Sequence, residues 1–122
     1  MAYDKDNIFA KILRGEIPSE KIYEDDYTIA INDLYPKAKV HILVLSKGEY
    51  IDMEDFSKNA SAEEIAGLFK AVGEVAREAG LEESGYRMIS NIGTHGRQEI
   101  PHLHIHILGG EKIGKLNPAK QS

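Results

Sequence analysis

The chain has 122 residues, of which 42% are hydrophobic, and its fifteen basic and twenty acidic side chains give a formal net charge of −5. That length suits one domain with its own core, and the acidic balance argues against binding a nucleic-acid polymer while leaving room for a single nucleotide gripped locally. Cysteine is absent, which removes disulfides and thiolate zinc sites, and the N-terminus lacks an apolar signal core. No apolar run reaches the length of a membrane span, so a soluble, cytoplasmic protein is expected.

Residues Asn7 to Arg14 place Ile8, Phe9, Ile12 and Leu13 at helical spacing, with Asp6 or Asn7 as N-cap and Gly15 just past the end. Ile17-Pro18 stops that short helix, because the residue before proline is pushed out of the helical region. Lys21 to Glu24 then reads as a strand, Asp25-Asp26 as a turn, and Tyr27 to Asp33 as a second strand rich in β-branched and aromatic residues. After a Leu34-Tyr35-Pro36-Lys37 loop, Val40 to Leu45 is almost continuously apolar, as in a strand covered on both faces, and His41 is its one polar interruption.

Ser61 and Glu64 form a capping-box pattern, and Ile65, Leu68, Phe69, Val72, Val75, Ala76 and Ala79 follow at helical spacing until Gly80. This is the longest predicted helix. Gly67 and Gly73 each weaken it by about 1 kcal/mol relative to alanine, so packing against a sheet has to hold it. Gly85 to Asn91 reads as another strand, and a polar, glycine-rich loop from Gly93 to Pro101 delivers the chain to the last one. Segregated helices and strands suggest an α+β domain with an antiparallel sheet, spanning residues 1–110 and followed by a polar tail over 111–122.

The last strand is His102-Leu103-His104-Ile105-His106-Ile107-Leu108, closed by Gly109-Gly110. Side chains of a strand alternate between faces, so His102, His104 and His106 share one face and Leu103, Ile105 and Ile107 the other. Same-face neighbours lie about 6.7 Å apart, which spreads the outer two histidines over about 13 Å and makes one zinc held by all three a poor fit. An ordinary solvated face would mix threonine, lysine and glutamate. A row of neutral imidazoles instead offers nucleophile and base together, and phosphorus is a natural electrophile for it. The preceding loop supplies donors for phosphate oxygens from its glycine amides, Arg97 and Gln98.

His102 through Leu108 satisfies the histidine triad pattern, and the chain resembles the histidine triad (HIT) family. It looks closest to the Hint branch, the histidine triad nucleotide-binding proteins once called protein kinase C interacting proteins. Ile8 through Pro18, Tyr23-Glu24-Asp25-Asp26, Asn32-Asp33, Pro36 and His41 match that branch's landmarks. The resemblance implies a HIT-like fold: a five-stranded antiparallel sheet with one long and one short helix, two copies of which join as a homodimer with a ten-stranded sheet.

It further implies a purine nucleoside pocket formed by Ile8, Phe9, Ile12, Ile17 and Ile31, although by composition alone these are also core candidates. Asp33 would hold the ribose, with Leu34 beside it. His104 would be the nucleophile and His106 the residue at the phosphate and leaving group. His102 and His41 would form a hydrogen-bonded relay, and Asn91 and Gln98 would bind phosphate oxygens. The implied activity is hydrolysis of purine nucleoside phosphoramidates or aminoacyl nucleotides through a nucleotidyl-histidine, with no required cofactor or metal and zinc only adventitious. A nucleotide-binding scaffold and a dinucleoside polyphosphate hydrolase are the alternatives. Two departures stand out: Arg97-Gln98-Glu99 replaces a glycine-glutamine-serine or threonine run, putting a carboxylate where a hydroxyl is usual, and the family's tryptophan-bearing C-terminal segment has no counterpart. Arg97 and Glu99 would therefore border the leaving group.

Overall fold

A computed structural model describes residues 2–116. In chain order the elements are α1 (Ile8–Leu13), β1 (Lys21–Glu24), β2 (Thr28–Asn32), β3 (Val40–Ser46), α2 (Met53–Asn59), α3 (Ala62–Glu78), β4 (Arg87–Ile89) and β5 (His104–Gly109). The five strands form one antiparallel sheet in the order β1-β2-β3-β5-β4, the expected α+β architecture. Among the described residues no helix is long and apolar enough to cross a membrane.

Helix ends follow local chemistry. The Asn7 side chain accepts from the Ala10 amide at 2.9 Å, and Ser61 and Glu64 complete a reciprocal capping box, so one first-turn amide of each of α1 and α3 has a side-chain acceptor. At Gly67 a Cβ would lie 2.7 Å from Tyr27 Cδ2. Glycine there lets α3 pass that ring on the sheet.

Three expectations are corrected. A third helix, α2, joins the expected long and short ones; Asp52 caps it and only Phe56 of its seven residues is buried, so it carries no apolar period to read. The fourth strand pairs only over Arg87–Ile89, shorter than Gly85 to Asn91. The last strand begins at His104, not His102: Pro101 brings no amide hydrogen, the His102 amide turns back to the Ile100 carbonyl, and Leu103 donates to Tyr50 O. Leu103 nevertheless packs with Ile105 and Ile107 in the core, as alternation requires.

The sheet buries both faces. One packs Ala30, Ile42, Val44, Leu103, Ile105 and Ile107 against Phe56 of α2 and the Leu68, Ala71, Val72, Val75 and Ala76 stripe of α3. The other carries a smaller cluster, Ile29, Ile31, Leu43 and Leu45 with Phe9 and Ile12 of α1. Beyond Gly110, the Glu111 carboxylate accepts from the Lys39 amide and Arg87 donates to the Gly114 carbonyl, which ties the start of the expected tail to the domain. Residues 117–122 of that tail lie outside the described residues.

Candidate active site

Register assembles the site on the α1 side of the sheet. His104 pairs with Leu45, His106 with Leu43 and His41 with Leu108, so the three imidazoles emerge on one face of two adjacent strands. His41 is thus a diagonal neighbour of His106, within reach across the strand pair. Asp33, just past the end of β2, is brought against His41 by its amide bond to the His41 carbonyl, and its Oδ2 lies 3.3 Å from His41 Nε2.

Hydrogen-bond partners assign the tautomers. The Lys37 amide donates to His41 Nδ1 at 3.0 Å, so His41 carries its proton on Nε2 and donates it to His106 Nδ1 at 2.9 Å. His106 must then hold its own proton on Nε2. His104 Nδ1 lies 2.6 Å from the His102 carbonyl, which can only accept, so His104 is protonated at Nδ1 and its Nε2 is a bare lone pair. Two imidazoles 5.1 Å apart therefore offer complementary nitrogens, one an electron pair and the other an N–H.

Burial pushes all four of these histidines toward the neutral form. His106 and His102 are each lowered to about 4, first by burial; His104 and His41 add to this at His106, and His104 does so at His102. His104 is lowered by burial, against the opposing pull of the His102 carbonyl, Asp33 and Glu99. His41 is likewise lowered by burial, with Asp33 opposing it. Neutral imidazoles are what nucleophilic attack requires.

His104 and His106 line a cavity of about 530 Å³, a volume suited to a nucleotide-sized ligand. Ile8, Phe9, Ile12 and Ile31 give it apolar lining, and Asp33, Leu34, His41, Asn91, Arg97 and Glu99 also border it. Three expected site residues do not border it. Ile17 packs against the α1-side apolar cluster. Gln98 spends its amide within the protein, donating to the Ile51 and Ile100 carbonyls and accepting from Gly93 N, so it fastens the loop and presents no donor to phosphate. His102 is fully buried, with Nε2 on the Ser46 carbonyl at 2.7 Å; it does not join His41, and the expected relay is two separate contacts, His41 to His106 and the His102 carbonyl to His104.

The loop that carries Arg97 is tightly turned. Arg97 has φ 60°, a left-handed conformation uncommon outside glycine and asparagine, and at Gly96 a Cβ would meet the Ile92 carbonyl oxygen at 2.4 Å. Arg97 and Glu99 of this loop both line the cavity.

The HIT domain family matches residues 14–113. The chain belongs to the HIT domain family. It is 55% identical over 114 residues to a 13.2 kDa HIT-like protein of Azospirillum brasilense, covering 93% of each. It is 38% identical over 113 residues to the purine nucleoside phosphoramidase of Escherichia coli K12, covering 92% of this chain and 93% of that protein. Among solved HIT structures, a histidine triad protein from Clostridium difficile superposes with TM-score 0.85 at 40% identity, covering 95% of this chain and all of that one. A HIT family hydrolase from Clostridium thermocellum gives TM-score 0.83 at 37% identity, covering 92% and 96%. These HIT relatives support a hydrolase.

Within the HIT site, sequence reasoning missed Asn32, Tyr35, Lys37, Leu43, Ile89, Ile100 and Leu108, all of which border the cavity. Leu43 and Leu108 were legible in principle, since they alternate with core residues on strands already placed. Tyr35 and Lys37 sit in an irregular loop whose path no period announces. A grouping of metal-ligating atoms exists among the described residues, Asp33, His41 and His106, all within 4.8 Å of one another. It runs across two strands and excludes His102 and His104, and a cation there would displace the proton that His41 gives His106.

Proposed function

We propose that this HIT protein hydrolyses purine nucleoside phosphoramidates or aminoacyl nucleotides through a nucleotidyl-histidine at His104. The observation that carries the reading is the pairing of a bare His104 Nε2 with the N–H of His106 Nε2 on one cavity wall. The Escherichia coli relative named purine nucleoside phosphoramidase supports the same substrate class.

In this reading the His104 lone pair attacks the α-phosphorus, the phosphorus–nitrogen bond breaks, and the leaving amine gains a proton relayed through His106 Nε2. Water then attacks the phosphorus, returns one proton to His106 Nε2 and breaks the phosphorus–imidazole bond, which releases the nucleoside monophosphate and restores both His104 and His106. One difficult displacement becomes two easier ones. Asp33 holds the ribose and the apolar wall of Ile8, Phe9, Ile12 and Ile31 takes the base. Asn91 and Arg97, which line the same cavity, would bind phosphate oxygens.

A homodimer belongs to the same proposal. The sheet's two edges differ: β1 carries two charges, Lys21 and Glu24, whereas β4 carries one, Arg87, beside exposed Met88, and is flanked by exposed Tyr86 and Ile92. Charges blunt an edge against pairing, which favours β4 as the side on which a second copy continues the sheet.

The test mixes protein with a fluorogenic adenosine phosphoramidate, follows amine release, and looks after acid quench for a mass increase of one nucleoside monophosphate. Turnover with an adduct absent from His104→Ala supports the reading. Nucleotide binding without turnover would replace it with a binding module.

A further inference from the structure

We infer that Tyr3 is a positioning residue for the histidine site, its hydroxyl holding His102 so that the His102 carbonyl in turn fixes His104. The inference rests on the phosphoramidase reading for its kinetic consequence. Tyr3 lies outside the stretch matched by the family, residues 14–113.

The geometry is a chain of three links. The Ser46 carbonyl takes the His102 Nε2 proton at 2.7 Å, which leaves His102 Nδ1 a lone pair in a fully buried ring. The Tyr3 hydroxyl lies 2.5 Å from that nitrogen and donates to it. His102 then presents its main-chain oxygen 2.6 Å from His104 Nδ1, the bond that leaves His104 Nε2 bare. Ring packing reinforces the links: Tyr3 meets His102 edge-on at 5.6 Å, and Phe9 meets His104 at 4.9 Å.

The arm that carries Tyr3 is itself built in. Asn7 Nδ2 and Arg14 Nη1 donate to the carbonyls of Asp4 and Lys5, and the Asp6 amide donates to the Asp4 carboxylate. These bonds fasten residues 4–6 to α1 and so aim Tyr3 at the end of the histidine row. Burial raises the Tyr3 phenol above its ordinary value, which keeps it a donor through the neutral range.

Without that hydroxyl, His102 Nδ1 becomes a buried acceptor with no partner. The ring can recover by taking up a proton, which places a charge beside His104, or by rotating away from Ser46 and dragging its carbonyl. Either response reaches His104. Tyr3 itself does not border the cavity, so its loss acts on the site only through His102 and His104.

The experiment compares wild type with Tyr3→Phe, and with Tyr23→Phe as control, a variant that likewise loses one tyrosine hydrogen bond, to Asp25, on the opposite side of the sheet. Tyr3→Phe is expected to lower kcat for the fluorogenic adenosine phosphoramidate about five- to tenfold, with KM within about twofold and folded fraction unchanged. Tyr23→Phe is expected to leave kcat alone. Imidazole nitrogen NMR is expected to show His104 as the Nδ1–H tautomer in wild type and as a mixture in Tyr3→Phe. Unchanged kcat and an unchanged His104 spectrum would overturn the inference, as would a kcat loss that tracks unfolding or is matched by Tyr23→Phe. If wild type proves inactive the phosphoramidase reading fails by itself, and the tautomer comparison still decides the role of Tyr3.

Discussion

The same strands make two different surfaces. Toward α3, thirteen buried apolar residues interlock and a 17-residue helix covers the sheet, leaving only a small cleft of about 150 Å³ beside Ile42 and Val75. Toward α1, six buried apolar residues meet a helix of only six residues, and the uncovered length of sheet is the cavity. Alternating residues of β3 and β5 serve both: Ile42, Val44, Ile105 and Ile107 on one side, His41, Leu43, His104 and His106 on the other. A binding site here is the part of a core that the covering helix is too short to fill.

If the two faces divide stability from chemistry, substitutions on each should move different observables. The largest effect is expected for His104→Ala, which should lower turnover by at least about a thousandfold while circular dichroism keeps the wild-type fold. Residual turnover near wild type would remove His104 as nucleophile. Next comes Leu68→Ala on the opposite face, where deleting a fully buried side chain should cost about 2–5 kcal/mol in denaturant melts. The turnover of its folded fraction should be unchanged; a selective loss of activity would show that the faces are coupled.

The division between faces was legible before its contents were. Alternation in His102 to Leu108 and the apolar run of Val40 to Leu45 placed the imidazoles opposite the core, and the capping pattern of Ser61 and Glu64 located α3, because these signals are local and periodic. Which nitrogen bonds to which oxygen was not legible. The Ser46 carbonyl that takes the His102 proton, and the Ile51 carbonyl that takes the Gln98 amide, are 56 and 47 residues away in sequence, and main-chain oxygens carry no sequence signature. For the same reason Gln98 was expected on phosphate and is found holding a loop. Helix α2 escaped because a segment with one buried side chain has no period.

Acid should sharpen the contrast further. His102 and His106 are each lowered from 6.5 to about 4 in the folded protein, so between those pH values the unfolded chain binds protons that the native one refuses. Their contribution is complete above about pH 6.5 and is lost as pH falls toward 4. Thermal midpoints should therefore fall across that window, and less steeply in His102→Asn, which removes one of the four imidazole titrations that burial lowers. A parallel decline in both proteins would place the acid sensitivity elsewhere. The smallest effect is expected for Ser61→Ala, where loss of the α3 cap should cost about 1 kcal/mol and leave KM for the adenosine phosphoramidate untouched.

The brevity of α1 has a consequence for motion. A six-residue helix has no stability of its own in water, since so short a segment scarcely repays nucleation; its Phe9, Ala10 and Ile12 contacts and the Asn7 cap keep it in place. Its amides should exchange with solvent through local opening at a lower free energy than those of β3 or β5. Each such opening lifts Phe9 from His104 and turns the cavity wall into a doorway. A nucleotide resting against Phe9 and Ile12 would hold that doorway shut, so ligand occupancy would be written in the exchange rates of α1.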